Sequence, residues 1–223
     1  YLKAENAYFE QEMGPHAALI ETLFQEVKGR IKEDDSSVPV KDGDWLYWWA
    51  FKHGAQYRTW YRKPVAGGAD QIVLDEAAEA EGKEYYRLGA PQVSPDGKLA
   101  AILVDDSGSE RFDLRIRDLP TGKDIETVTD VGIGSPVWTS DSRGIVFTEV
   151  NDNWRSYRAQ YHRLGDPPSE AKTLYEEKED IGFSVGVSKS QDESLIFIAT
   201  GDNATSEVRF VPAGNPETPL TLI

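Results

Sequence analysis

The sequence predicts an all-β chain: a partial β-propeller of about four four-stranded antiparallel blades, preceded by an N-terminal helical segment. Three observations predict it. A tight turn followed by an apolar run recurs as VSPDGKLAAILV (93–104), VWTSDSRGIVFTEV (137–150) and GVSKSQDESLIFIAT (186–200). The turn residues Asp42, Asp96 and Asp141 stand 54 and 45 residues apart, close to the repeat of one propeller blade. After the first 36 residues the apolar pattern leaves the helical period and takes that of strands.

Residues 1–36 form the helical segment. Leu2, Tyr8, Phe9 and Met13 fit one apolar stripe. Gly14-Pro15 interrupts it, and Pro15 suits the first position of a new helix. Leu19, Ile20, Leu23, Phe24, Val27 and Ile31 then follow at three- and four-residue spacing. The polar face carries Glu21, Gln25, Glu26, Lys28 and Arg30. A membrane-surface helix would carry a basic face, so this one is expected to pack on its own protein.

The first blade is expected over about 37–76. Trp45 to Phe51 is rich in aromatic strand formers. His53-Gly54 turns the chain, and Tyr57 to Arg62 returns. Pro64 and Gly67-Gly68 end that strand, and Gln71 to Asp75 makes a further short one. Residues 75–84 are acidic and Ala-rich, and read as a short helix or loop between units.

The second blade spans about 86–130. Tyr86 to Val93 is the inner strand. In Ser94-Pro95-Asp96-Gly97 the proline presets φ and the glycine accepts a positive φ. Leu99 to Val104 is almost wholly apolar, as a strand buried on both faces must be. Phe112, Leu114 and Ile116 alternate with Asp113, Arg115 and Arg117, giving one buried and one wet face. Ile125 to Val128 is the outer strand. The same reading fits blades over about 133–175 and 181–223. The phrase recurs because every blade makes the same turn and then buries its central strand between neighbours. An arc of four blades leaves apolar faces at its two ends. The helical segment is expected to cover one and further polypeptide the other, and an uncovered face should self-associate.

Composition narrows the function classes. With 39 acidic and 24 basic side chains the formal charge is −15. No clustered Lys or Arg suits nucleic acid. The acidity reads as a solvated surface, with attraction of basic peptides as its functional counterpart. No run of ~18 apolar residues predicts a membrane span. The absence of cysteine fits a reducing compartment, so a cytoplasmic location is expected, with the periplasm second. The chain starts at Tyr1 without a signal-like segment and reads as an excised piece.

Chemistry-bearing patterns are sparse. No G-x-S-x-G nucleophile elbow is present. Gly132-Ile-Gly134-Ser135-Pro136 and Gly186-Val-Ser188-Lys-Ser190 both fail at the final Gly, and read as strand-entry turns. His16, His53 and His162 lack ligand spacing and read as surface or turn histidines. Asp34-Asp35 and Asp105-Asp106 read as solvated loop ends. Ser140-Asp141-Ser142-Arg143-Gly144 only echoes the Asp-box of glycan-processing propellers. There is no phosphate loop and no calcium loop. These patterns therefore assign no catalytic, cofactor-binding or metal-binding residue to the chain.

The order of phrases resembles a known family. RIKEDDSSVPV (30–40), VSPDGKLAAILVDDSGSERFDLRIRDLPTGK (93–123), HRLG (162–165), LYEEKED (174–180), FSVGVSKS (183–190) and TSEVRFVPA (205–213), with YLKAENAYFE (1–10), resemble the N-terminal part of the prolyl oligopeptidase family, oligopeptidase B type. The resemblance implies a two-domain serine peptidase. An α/β-hydrolase domain carries the Ser, Asp and His, and a seven-bladed propeller restricts entry to short peptides. Cleavage after Arg or Lys is implied, with short basic peptides as substrates. None of the family's catalytic positions has a counterpart in this sequence. The chain is expected to be the non-catalytic gating portion, inactive alone, with the α/β-hydrolase domain as its partner. Two other classes stand beside this reading. One is a stand-alone protein-binding propeller using Trp45, Trp48, Trp49 and Trp60. The other is a glycan-active propeller, which would need cleft carboxylates and better Asp-boxes.

Overall fold

A computed structural model describes residues 1–89 and 91–223. Two helices, α1 (Leu2–Met13) and α2 (Ala17–Lys28), lead into sheets of antiparallel strands. The first sheet runs β1 (Val40–Asp42), β2 (Trp45–Phe51), β3 (Arg58–Pro64), β4 (Gln71–Asp75) in sequence order. A short helix α3 (Glu76–Ala80) follows, capped at its N-terminus by the Asp75 carboxylate.

The second blade comprises β5 (Arg87–Leu88), β6 (Gln92–Val93), β7 (Leu99–Asp105), β8 (Phe112–Asp118) and β9 (Lys123–Val131). Its inner strand is thus two short pieces, both paired with β7. The expected inner strand runs through Ala90, which lies outside the described residues. The third blade comprises β10 (Val137–Trp138), β11 (Gly144–Val150), β12 (Ser156–Arg163) and β13 (Lys172–Glu176). A single bridge, Val131 to Glu149, joins it to the second blade's sheet. The fourth sheet is β14 (Ser184–Lys189), β15 (Leu195–Gly201), β16 (Ser206–Pro212) and β17 (Thr221–Leu222).

The core lies in the seams between blades. Alternate residues of each central strand enter opposite seams, because successive side chains of a strand face opposite ways. On β7, Ala100, Ile102 and Val104 pack toward Val73 and Leu74 of the first blade. Ala101 and Leu103 pack the other way, toward Trp138, Ile145 and Phe147 of the third. On β11, Val146 continues the pattern against Ile196, Val211 and Ala213 of the fourth. A strand buried on both faces needs the unbroken apolar run that its sequence carries. Each such Ile or Leu contributes about 1.5–3 kcal/mol of hydrophobic stabilisation.

The helices depart from expectation. Their apolar period is right, yet no residue of α1 or α2 is buried. Leu23, Phe24 and Val27 are 50–60 % exposed. The stripe needs an apolar partner, and the described residues of this chain do not supply one. Pro15 sits in a one-turn 3-10 segment (Gly14–His16) instead of opening α2, and Ile31 lies beyond the end of that helix.

Candidate functional site

The inner strands of all four blades surround one cavity of about 590 Å³. Val40 and Asp42 come from β1, Gln92 and Val93 from β6, Val137 from β10, and Lys189 from β14. The wall is built because each blade's inner strand lies nearest the common axis. Neighbouring walls are tied together: the Trp138 indole N–H donates to the Gln92 carbonyl at 2.8 Å.

The recurring turns of the first, second and fourth blades line an adjoining cavity, and the turns of the second, third and fourth blades share one hydrogen-bond plan. Ser94, Thr139 and Ser190 donate their hydroxyls to Asp96, Asp141 and Asp192 at 2.6–2.7 Å. Each aspartate also accepts the backbone N–H two residues on. Each hydroxyl oxygen accepts the N–H of the following strand. Hydrogen bonds to the ionised form favour it. Burial acts against Asp96, but the Ser94 hydroxyl and the Lys98 N–H hold its carboxyl below the usual range. The Thr139 hydroxyl does the same for Asp141, and the Ser190 hydroxyl for Asp192. The faint Asp-box echo at Ser140–Gly144 is this structural turn.

The first blade breaks the plan. Val40 stands where the others carry Ser or Thr, so Asp42 has no hydroxyl clamp. It lines the same cavities as Lys189 and Glu193 of the fourth blade. Partial burial, then the Glu193 carboxyl, push Asp42 above the usual aspartate range, while Lys189 pulls the other way. Lys189 Nζ lies 2.7 Å from Glu193 Oε2.

The residues singled out in the sequence scatter. Ser135 and Ser188 line the cavity, but no histidine does. His16 lies in the exposed 3-10 turn. His53 is a surface turn residue, 3.7 Å from Glu33. His162 is a correction: it is wholly buried on β12, its Nε2 on Glu126 of β9. Asp105 is another correction. It is 1 % exposed and accepts from the backbone N–H groups of Ser107, Gly108 and Glu110. Burial opposes its charge, yet those donors hold its carboxyl low. Asp106 pairs with Lys83 at 2.9 Å, and Asp35 accepts the Ser36 N–H. Among the described residues no three His, Asp or Glu side chains converge on a metal position.

The tryptophans are largely spent on structure. Trp45 lies under the Arg62 guanidinium at 4.0 Å. Trp60 donates to Glu76 at 2.5 Å. Arg58 covers Trp49 at 4.5 Å. Trp48 stacks on Tyr61 at 5.5 Å, on the face turned away from the second blade.

Sequence reasoning missed Lys189, Asp192 and Glu193. The available signal was the fourth copy of the turn, Ser190-Gln191-Asp192-Glu193, in which Glu193 stands where the second blade has Gly97.

Comparison with known proteins follows the same architecture. The model of the prolyl oligopeptidase N-terminal β-propeller domain matches residues 1–223. The chain belongs to that family. It is 34 % identical to dipeptidyl aminopeptidase BI of Pseudoxanthomonas mexicana over 97 % of this chain and 32 % of that protein. It is 29 % identical to protease 2 of Moraxella lacunata over 100 % of this chain and 33 % of that one. Among solved structures, oligopeptidase B from Trypanosoma brucei, closed and with covalently bound antipain, superposes with a TM-score of 0.87 at 29 % identity, covering 99 % of this chain and 31 % of that one. Oligopeptidase B from Leishmania major shares the fold, with a TM-score of 0.90 at 23 % identity over 100 % of this chain and 32 % of that one. The chain spans about a third of the length of the curated relatives it matches. For a family propeller, sheets stacked round an axis are the expected scaffold, and the axial cavity is the feature this scaffold builds.

Proposed function

We propose that this chain is the non-catalytic propeller portion of an oligopeptidase B-like serine peptidase that cleaves short peptides after Arg or Lys. Its task is mechanical: it limits access to an α/β-hydrolase domain supplied by further polypeptide. The observation that carries the reading is the chain-long likeness to oligopeptidase B from Trypanosoma brucei, of which this chain covers 31 %. Two features of the molecule support it. The cavity serines Ser135 and Ser188 share the cavity lining with no histidine, so no Ser–His pair is assembled there. The stripe on α2 is apolar and uncovered, as a surface that docks on a neighbouring domain must be before docking.

A net charge of −15 favours approach of Arg- and Lys-bearing peptides, an effect that fades with salt. A cytoplasmic setting belongs to the same reading. The stand-alone docking module is the weaker one, because all four blade-one tryptophans have partners within this chain: Arg62 on Trp45, Arg58 on Trp49, Tyr61 on Trp48 and Glu76 on Trp60.

The test compares the hydrolase portion of the parent with and without this chain attached. With it, a short Arg-containing peptide is cleaved and the same sequence inside a folded protein is spared. Equal cleavage of both substrates by the attached form overturns the gating role.

A further inference from the structure

Asp-Gly occurs twice in the chain, at Asp42-Gly43 and at Asp96-Gly97. Both pairs sit where a blade's inner strand turns into its central one, and both glycines have left-handed φ, 53° and 73°. The turn from β6 to β7 is closed on itself. The Asp96 carboxylate accepts the Ser94 hydroxyl at 2.7 Å and the Lys98 N–H at 3.1 Å. The Gly97 N–H donates to the Ser94 carbonyl at 2.8 Å. Gly97 is buried, and a side-chain carbon added to it would lie 3.2 Å from the Trp45 indole nitrogen.

The turn from β1 to β2 has none of these restraints. Val40 stands in place of the serine. Strand pairing runs to the tip, with Asp42 opposite Trp45, so Gly43 and Asp44 alone reverse the chain. Among the described residues no backbone N–H donates to the Asp42 carboxyl, and no backbone carbonyl accepts the Gly43 N–H. Gly43 is exposed. A side-chain carbon added there would meet nothing but its chain neighbours within 4 Å.

These differences bear on one reaction. The nitrogen after an aspartate can attack that aspartate's own carboxyl if the N–H is unbonded and the side chain is free to turn over it. Glycine leaves the nitrogen unshielded because it has no Cβ. The nitrogen bonds to Cγ, and one carboxyl oxygen departs as water with the amide proton and a carboxyl proton. The product is a five-membered succinimide. Water then adds to one of its two carbonyls. Opening at Cγ restores aspartate. Opening at the main-chain carbonyl breaks that C–N bond and leaves the chain running through the side chain as isoaspartate. Mass is unchanged, and the backbone gains one carbon.

We infer that Asp42 is a site of spontaneous isoaspartate modification in the folded protein, and that Asp96, in the same dipeptide, is protected by its turn. The modification acts on the wall of the axial cavity. Asp42 lines both that cavity and the adjoining one, and an added backbone carbon breaks the register of Asp42 with Trp45 that closes β1 onto β2.

The test ages the purified chain at neutral pH and body temperature for several weeks, folded and in urea. Peptide mapping with electron-transfer fragmentation locates isoaspartate, and an isoaspartate-specific carboxyl methyltransferase counts it. Three hydrogen bonds must break before Asp96 and Gly97 can react. The folded chain should therefore gain isoaspartate at Asp42 at least about tenfold faster than at Asp96. In urea the two rates should converge. Ser94→Ala removes one of the three bonds and should raise the Asp96 rate while leaving that of Asp42 unchanged. Asp42→Glu, which would need a less favoured six-membered ring, should abolish the signal at that position. Equal accumulation at the two positions in the folded chain overturns the assignment. So does a folded chain that stays unmodified at Asp42 while the unfolded chain reacts there.

Discussion

The buried imidazole of His162 meets the carboxylate of Glu126 across the boundary between the second and third blades. The other oxygen of Glu126 accepts the Gly165 N–H at 3.1 Å. One side chain on an outer strand thus fastens two points of the neighbouring blade. His162→Ala removes the donor, opens a cavity and strands a carboxylate that is 14 % exposed. The expected loss is about 2–4 kcal/mol, read as a lower urea midpoint. Glu126→Gln, which keeps a hydrogen-bonding side chain of the same size, should cost less than half as much.

Gly144 opens the third blade's central strand directly beneath Tyr161. A Cβ there would sit 2.4 Å from the Tyr161 ring. Gly144→Ala should cost about 1–3 kcal/mol through overpacking. Trimming the ring in Gly144→Ala/Tyr161→Leu should recover part of that loss. A thermal melt of the single and double variants checks the coupling.

The three clamped turn aspartates tie stability to pH. Each has its carboxyl held below the usual value, so the folded state binds its proton less readily than the unfolded chain. That contribution is present above about pH 4 and is lost as pH falls through the lowered folded value. Asp141→Asn should therefore destabilise at neutral pH, by about 1 kcal/mol, and lose less on acidification than the parent chain. Urea titrations at several pH values report both effects. Asp42 has the opposite sign: its raised carboxyl favours the folded state at low pH, and that advantage is lost as pH rises.

The α2 stripe gives a prediction about association. Phe24 and Val27 are exposed, so Phe24→Glu/Val27→Glu should leave thermal stability within about 0.5 kcal/mol. The parent chain should bind a hydrophobic dye and scatter light as more than a monomer. The variant should do so less. A clean, dye-silent monomer for the parent chain contradicts this.

Legibility in the sequence followed periodicity. The central strands were readable because burial on both faces demands an unbroken apolar run, as Leu99–Val104 shows. The turns were readable because Pro95 and Gly97 have local backbone causes. Relations set by the angle between blades were not readable. Nothing near Asp42 announces Glu193, which lies 151 residues away. His162 sits in the strand Ser156–Arg163, where Arg158 and Gln160 suggest a wet face. Its burial depends on Glu126 arriving from another blade. The stripe of α2 was visible, but a stripe names no partner.

The central claim is that this chain shapes an entrance and leaves bond breaking to other polypeptide. It is tested most directly by incubating the purified chain with an Arg-ending chromogenic ester and following product release. The account predicts a rate indistinguishable from buffer, at any concentration of chain. Turnover that scales with the chain and stops on treatment with a serine-directed reagent would contradict it.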